Sequence, residues 1–136
     1  MNRVLGSVLI SDEQIQQRIG ELGRQISEDY KGRNVTIVAI LKGSFLFLAD
    51  IIRQIHTDIP VEVDFLSVSS YGNDTQSSGK LRIEKDVEVT VSGRDIIIVE
   101  DIVDTGLTLN YVHRLFTERG ARSIRVATLL EKPGNS

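Results

Sequence analysis

An α/β fold, with a mostly parallel central sheet flanked by helices, is predicted by three features of this chain. Two apolar runs, residues 35–41 (broken only by Thr36) and residues 96–99, have the composition of strands buried on both faces. Segments around them carry apolar residues at helical spacing. From residue 35 onward, strand and helix patterns alternate, which implies parallel strands joined by right-handed crossovers.

The elements follow in order. Ser11 and Gln14 fit a capping box, after which Ile15, Ile19, Leu22, Ile26 and Tyr30 recur at helical spacing up to a stop at Gly32. Residues 35–41 form a central strand. Residues 45–55 read as a largely buried helix with Ser44 as its N-cap. Val61, Val63 and Phe65 alternate with Glu62 and Asp64, the pattern of a strand with one polar face. Residues 70–80 hold almost nothing that anchors to a core and read as a mobile loop, with a disordered hairpin tip as the alternative. Leu81, Ile83, Val87, Val89 and Val91 share odd numbering and line one face of a strand or hairpin. Residues 92–95 turn the chain into the strand at Ile96, Val112, Leu115 and Phe116 give the next helix its apolar stripe, and Gly120 ends it. Residues 124–130 are the last strand.

The 136 residues suit one domain over residues 1–136 with a sizeable core, and 40% hydrophobic with 26% charged content is ordinary for a soluble globular protein. A net charge of −3 argues against general nucleic-acid binding. The absence of cysteine excludes disulfides and fits a reducing compartment. There is no signal-peptide pattern and no apolar run near the ~20 residues of a membrane span, so the expected location is the cytoplasm, with no membrane partner.

The chemistry concentrates after the second apolar run. Glu100 and Asp101 follow that strand, and Asp104, Thr105, Gly106, Leu107 and Thr108 lead into the helix of Val112. In open α/β sheets ligands bind beyond the carboxyl ends of strands. Three acids beside a helix N-terminus repel one another unless a ligand uses them. A capping Asp explains one acid and not three. The helix start suits a phosphate, and Gly106 lets backbone approach it. Leu41, Lys42, Gly43 and Ser44 end the first central strand, a second ligand-facing position, although Lys-Gly-Ser alone also describes a solvated turn. His56 and His113 match no motif and read as structural or exposed.

The string from Val99 to Gly106 resembles the phosphoribosyl-pyrophosphate (PRPP) binding motif of the type I phosphoribosyltransferases, in wording closest to the 6-oxopurine branch. The resemblance spans residues 5 to 133. It implies a Rossmann-like core with a flexible loop or hairpin, a Mg²⁺-dependent glycosyltransferase of purine salvage, and PRPP and a 6-oxopurine as partners in a homo-oligomer, dimer or tetramer. By resemblance, Glu100 and Asp101 accept the ribose hydroxyls and meet the metal, directly or through those hydroxyls. Residues 104–108 hold the 5′-phosphate, with Asp104 also exchanging a proton with purine N7. Leu41, Lys42 and Gly43 form the pyrophosphate loop, Ser70 and Tyr71 belong to a catalytic loop closing over PRPP, and Lys132 donates to the purine 6-oxo group. The family continues past residue 133, so the nucleobase hood is expected to be reduced or absent. Two other functions stay open: a regulator that retains the PRPP pocket, and a catalytically incomplete fragment of this fold.

Overall fold

The apolar stripe ending at Tyr30 folds as predicted: α1 (Asp12–Asp29) buries Ile19, Leu22 and Ile26, and Tyr30 completes the row. In the computed structural model, residues 12–41, 45–56, 58–70, 80–103 and 106–131 are described. The capping residue Ser11 and the expected cap Ser44 lie outside them. Gly32 turns the chain at φ 78°, a left-handed value that strains any residue with a Cβ. The next helix, α2 (Phe45–Gln54), lies so close to α1 that a Cβ on Gly23 would stand 2.3 Å from Gln54 Cβ. Ser27 fastens the crossing, donating to the Gly23 carbonyl and accepting the His56 backbone N–H, both at 2.8 Å. The expectation of a largely buried α2 needs one correction. Phe47, Leu48 and Ile51 are buried, but Leu46 is 72% exposed because it falls on the outer face of a single covering layer.

Five strands make the sheet: β1 (Val35–Ile40), β2 (Val61–Ser70), β3 (Leu81–Lys85), β4 (Asp95–Val103) and β5 (Ser123–Glu131), in the order β3-β2-β1-β4-β5. The β1, β2, β4 and β5 strands run parallel, and β3 pairs antiparallel with β2 through a register shift at Ser67/Val68. The central strand β1 is buried along its whole length, as its apolar run requires. The last helix, α3 (Leu107–Glu118), crosses from β4 to β5, whereas α2 crosses from β1 to β2. These two crossovers leave in opposite directions from neighbouring strands, so equal handedness puts their helices on opposite faces. The core divides accordingly. Ile37, Ala39, Ile97 and Val99 pack with α1 and α2, while Val38, Ile40, Ile96 and Ile98 pack with Val112 and Phe116 of α3. Among the described residues, no helix is long and apolar enough to cross a membrane.

Three sequence expectations are corrected here. The Glu62 and Asp64 face of β2 is not a polar, solvated face: Asp64 is buried and Leu66, next on that face, is fully covered. The odd-numbered row from Leu81 to Val91 keeps its inward face, with Ile83, Val87 and Val91 against the second cluster, but the strand itself stops at Lys85. Asp86 ends it by bonding the Val87 N–H with its own carboxylate at 2.7 Å, a local turn that competes with the ladder. Finally, Ser70 closes β2, paired with Leu81, and is not in a loop. The remainder of the expected loop, residues 71–79, lies outside the described residues.

Candidate functional site

The acids predicted to follow a strand lie within one. The β4 strand continues to Val103 because β5 continues beside it, with Glu100 opposite Thr128, Ile102 opposite Leu130 and Val103 opposite Glu131. On its other edge, β1 pairs with β4 only as far as Ala39 opposite Val99, and β1 itself ends at Ile40. Glu100 and Asp101 therefore sit where β4 has outrun β1. This is also the point at which the sheet order reverses, with one crossover leaving toward β2 and the other toward β5. Crevices at such switch points are the ligand sites of open α/β sheets. By the two-residue pleat, Glu100 shares the face of Ile96 and Ile98, the face covered by α3, and it is half-buried there.

The N-terminus of α3 stands at the same end of the sheet. Its N-cap is Gly106, at φ 83° and ψ −2°, and no side chain among the described residues caps the helix. Asp104, the Asp that could cap this helix on the sequence, lies outside the described residues. The N-cap position belongs to Gly106, through which the chain enters the helix in a left-handed conformation. Leu107 and Thr108 lie inside the first turn and are half-buried, not in a preceding loop. No acidic residue occupies that first turn, and the positive end of the helix dipole lies at the pole of the sheet that carries Glu100. The arrangement favours an oxyanion beside Gly106 and Thr108.

The other strand ends converge on this pole. Leu41 leaves β1 in a turn, its N–H donating to the Leu66 carbonyl at 2.8 Å. Ser70 terminates β2 and is exposed, and the neighbouring Ser69 Oγ is buried without a hydrogen-bond partner among the described residues. Leu41, Ser70, Glu100, Asp101, Gly106, Leu107 and Thr108 thus share the C-terminal end of the parallel strands. Lys42, Gly43, Tyr71, Asp104, Thr105 and Lys132 lie outside the described residues. Two neighbours were missed on the sequence. Ser69 and Thr128 sit within ordinary strand patterns, and only the register brings Thr128 beside Glu100. Neither expected bystander joins the site: His56 lies beside Asp58 at 3.3 Å, and His113 is exposed on α3.

Two further acids fasten the connection between β3 and β4. Burial alone would push the Asp64 carboxyl up, but N–H groups of Val89, Phe65 and Glu88, helped by Lys85, hold it below the usual carboxylate range. The Glu88 and Val89 bonds measure 2.6 and 2.9 Å. Asp86 takes a two-pronged bond from Arg119 at 2.9 and 2.8 Å, and this bond lowers its pKa against the opposing effect of burial. Residues 86–94 are thereby tied to β2 and to the end of α3. Among the described residues, no group of three or more histidine or acidic side chains could hold a metal ion by itself.

Comparison with known proteins agrees with this geometry. A family model for the phosphoribosyl transferase domain matches residues 10–135. Over 133 residues the chain is 47% identical to the hypoxanthine-guanine phosphoribosyltransferase of Bacillus subtilis, covering 98% of this chain and 73% of that protein. It is 49% identical to the Mycobacterium tuberculosis enzyme of the same name, covering 93% of this chain and 65% of that protein. A Staphylococcus aureus hypoxanthine phosphoribosyltransferase structure superposes with a TM-score of 0.87 at 40% identity, over 96% of this chain and 70% of that one.

Proposed function

The chain belongs to the phosphoribosyltransferase family, and on that premise we propose that it is an enzyme of purine salvage. It moves the 5-phosphoribosyl group of PRPP onto hypoxanthine, and onto guanine, giving IMP or GMP and pyrophosphate. One observation carries the reading: Glu100 and Asp101 lie where β4 outruns β1, at the switch point and on the same pole as the glycine-capped start of α3. A ribose phosphate needs both features together, hydrogen-bond acceptors for vicinal hydroxyls and a positive helix end for the phosphate.

In this reading the 5′-phosphate rests on the first turn of α3, against Gly106, Leu107 and the Thr108 hydroxyl, with Thr105 beside it. Glu100 and Asp101 accept the ribose hydroxyls, and their charge favours the cationic sugar ring that develops as its bond to pyrophosphate lengthens. Leu41, Lys42 and Gly43 present the leaving group with backbone and ammonium donors, and Ser70 and Tyr71 border it. Purine N9 forms the new bond to the anomeric carbon while the C–O bond to pyrophosphate breaks. The electron pair of that bond leaves with pyrophosphate, and Asp104 holds the proton exchanged with purine N7. Lys132 donates to the 6-oxo group, a contact that an exocyclic amino group cannot accept.

Mg²⁺ fits this donor set. Two adjacent carboxylates, with no complete protein cage among the described residues, suit an ion that keeps waters and substrate oxygens as ligands. Bound with PRPP, it would neutralise charge on the departing pyrophosphate. The same reading makes the protein cytoplasmic and homo-oligomeric.

Turnover with PRPP and Mg²⁺ against hypoxanthine, guanine, xanthine and adenine tests the proposal. Hypoxanthine and guanine are expected to react and adenine to fail. PRPP-dependent thermal stabilisation without turnover of any base would overturn the enzymatic reading and leave a PRPP-binding protein.

A further inference from the structure

The pole opposite the candidate site holds a cavity of about 560 Å³, lined by Arg33, Arg94, Arg122, Thr36, Ser92 and Asp95 among others. Three guanidinium groups line it with the Asp95 carboxylate, and Glu62 pairs with Arg94 from beside it, which leaves one positive charge over in a chain whose net charge is −3. That excess of positive charge is local and is assembled from segments far apart in sequence.

Arg33 and Arg94 are held in place, and all three arginines keep donors to spare. Arg33 stacks on the buried Tyr30 ring at 4.8 Å and gives one hydrogen bond, to the Asp29 carbonyl at 3.0 Å. Arg94 bonds the Thr90 carbonyl, Thr36 Oγ1 and the Glu62 carboxylate. The Arg122 guanidinium gives no hydrogen bond among the described residues and is 64% exposed. Asp95 does not saturate them: it is buried and takes its close bond from Ser123 Oγ at 2.6 Å. Arg33 and Arg122 each stand 3.8 Å from it, beyond hydrogen-bond reach. Asp95 thus draws two guanidiniums to the rim without using their donors. The Gly93 turn that closes the wall is fixed by its N–H on the Gly120 carbonyl at 2.9 Å.

We propose that this cavity is a second, non-catalytic anion site for a small phosphorylated ligand, at the opposite pole from the carboxylates of β4. A forked guanidinium matches phosphate oxygens two at a time, and three converging forks suit an anion with more oxygens than one phosphate carries. The concave shape and size fit a small molecule better than a nucleic-acid backbone or a membrane surface.

Amide and arginine Nε NMR spectra of the full chain test this, titrated with orthophosphate and with pyrophosphate against sodium chloride at equal ionic strength. Saturable shifts are expected at Gly32, Ser92, Gly93 and the three arginine Nε groups, with pyrophosphate binding more tightly. Arg122→Gln, at an exposed position that folding does not need, should weaken this response about tenfold while shifts at Gly106 and Thr108 persist. Arg33→Gln together with Arg122→Gln should abolish it, with spectral dispersion reporting that the fold is intact. Shifts confined to Gly106 and Thr108, pole shifts equal to those from sodium chloride, or an unchanged response in Arg122→Gln would overturn the proposal.

Discussion

The two ends of β4 carry acids under opposite conditions. At the start, Asp95 is buried, bonded to Ser123 and flanked by Arg33 and Arg122, while backbone bonds from Arg122 and Ser123 to the Arg94 carbonyl seal the corner. At the finish, Glu100 is half-buried on a stretch that has β5 on one side and has outrun β1 on the other, facing a helix whose first turn contains no acid. One end builds its compensation into the fold. The other places Glu100 on the face that α3 covers, where the proposed function has it meet a ribose hydroxyl. On that proposal, acids of one strand divide between architecture and ligand capture according to what surrounds them.

Substitutions can break this contrast, and the largest effect belongs to the reactive end. Asp104→Asn keeps the shape and a polar group but removes the base, so turnover should fall by about 10²-fold to 10⁴-fold with little change in PRPP affinity. Steady-state kinetics with calorimetric binding checks it, and wild-type kcat would remove Asp104 from that role. Glu100→Gln should instead weaken PRPP binding and turnover together.

Architectural changes should cost less and leave the chemistry in place. Gly23→Ala puts a methyl 2.3 Å from Gln54 Cβ and 2.8 Å from the Gln54 carbonyl oxygen, so α2 must move. A loss of about 1–3 kcal/mol in urea denaturation is expected, as for other overpacked sites. Gly106→Ala makes an ordinary van der Waals contact among the described residues, with Asn110 Nδ2 at 3.9 Å, but must adopt φ 83°. The strain should remove about 1–2 kcal/mol. Because the proposed function rests the 5′-phosphate on the turn that this glycine caps, PRPP affinity should fall as well, whereas Gly23→Ala should leave affinity unchanged.

Those glycines also mark what could be read in advance. The buried runs at 35–40 and 96–99, the α3 stripe of Val112 and Phe116, and the gathering of Glu100, Asp101 and Gly106 at strand ends all follow from local pattern. Asp64 was misread because alternation assigns an acid to solvent. The N–H groups that make its burial tolerable come from Glu88 and Val89, 24 and 25 residues away. The extension of β4 through its acids was hidden for a similar reason, since only the register with Thr128 and Leu130 sustains it. The arginine-lined pole was invisible because residues 33, 94 and 122 share no motif.

The smallest effect is on stability against pH. The Asp64 carboxyl lies below its ordinary value of about 3.9 when folded, so its contribution is present above that pH and is lost as pH falls through the lower folded value. Asp86, lowered by Arg119, should act in the same direction. Asp64→Asn should flatten the acid limb of a denaturation series below about pH 4, with the neutral limb showing a loss from weaker N–H bonds. An unchanged acid limb would show that these backbone bonds do not favour the charged form.

Hydrogen exchange with and without PRPP·Mg²⁺ tests the division between the two poles most directly. Amides in peptides spanning residues 98–110, at the end of β4 and the start of α3, should exchange more slowly with ligand, while those at 120–123, at the sealed corner, should not change. Absence of protection across 98–110 at saturating PRPP would contradict the account, because the carboxylates and the helix start would then not be where the sugar phosphate binds.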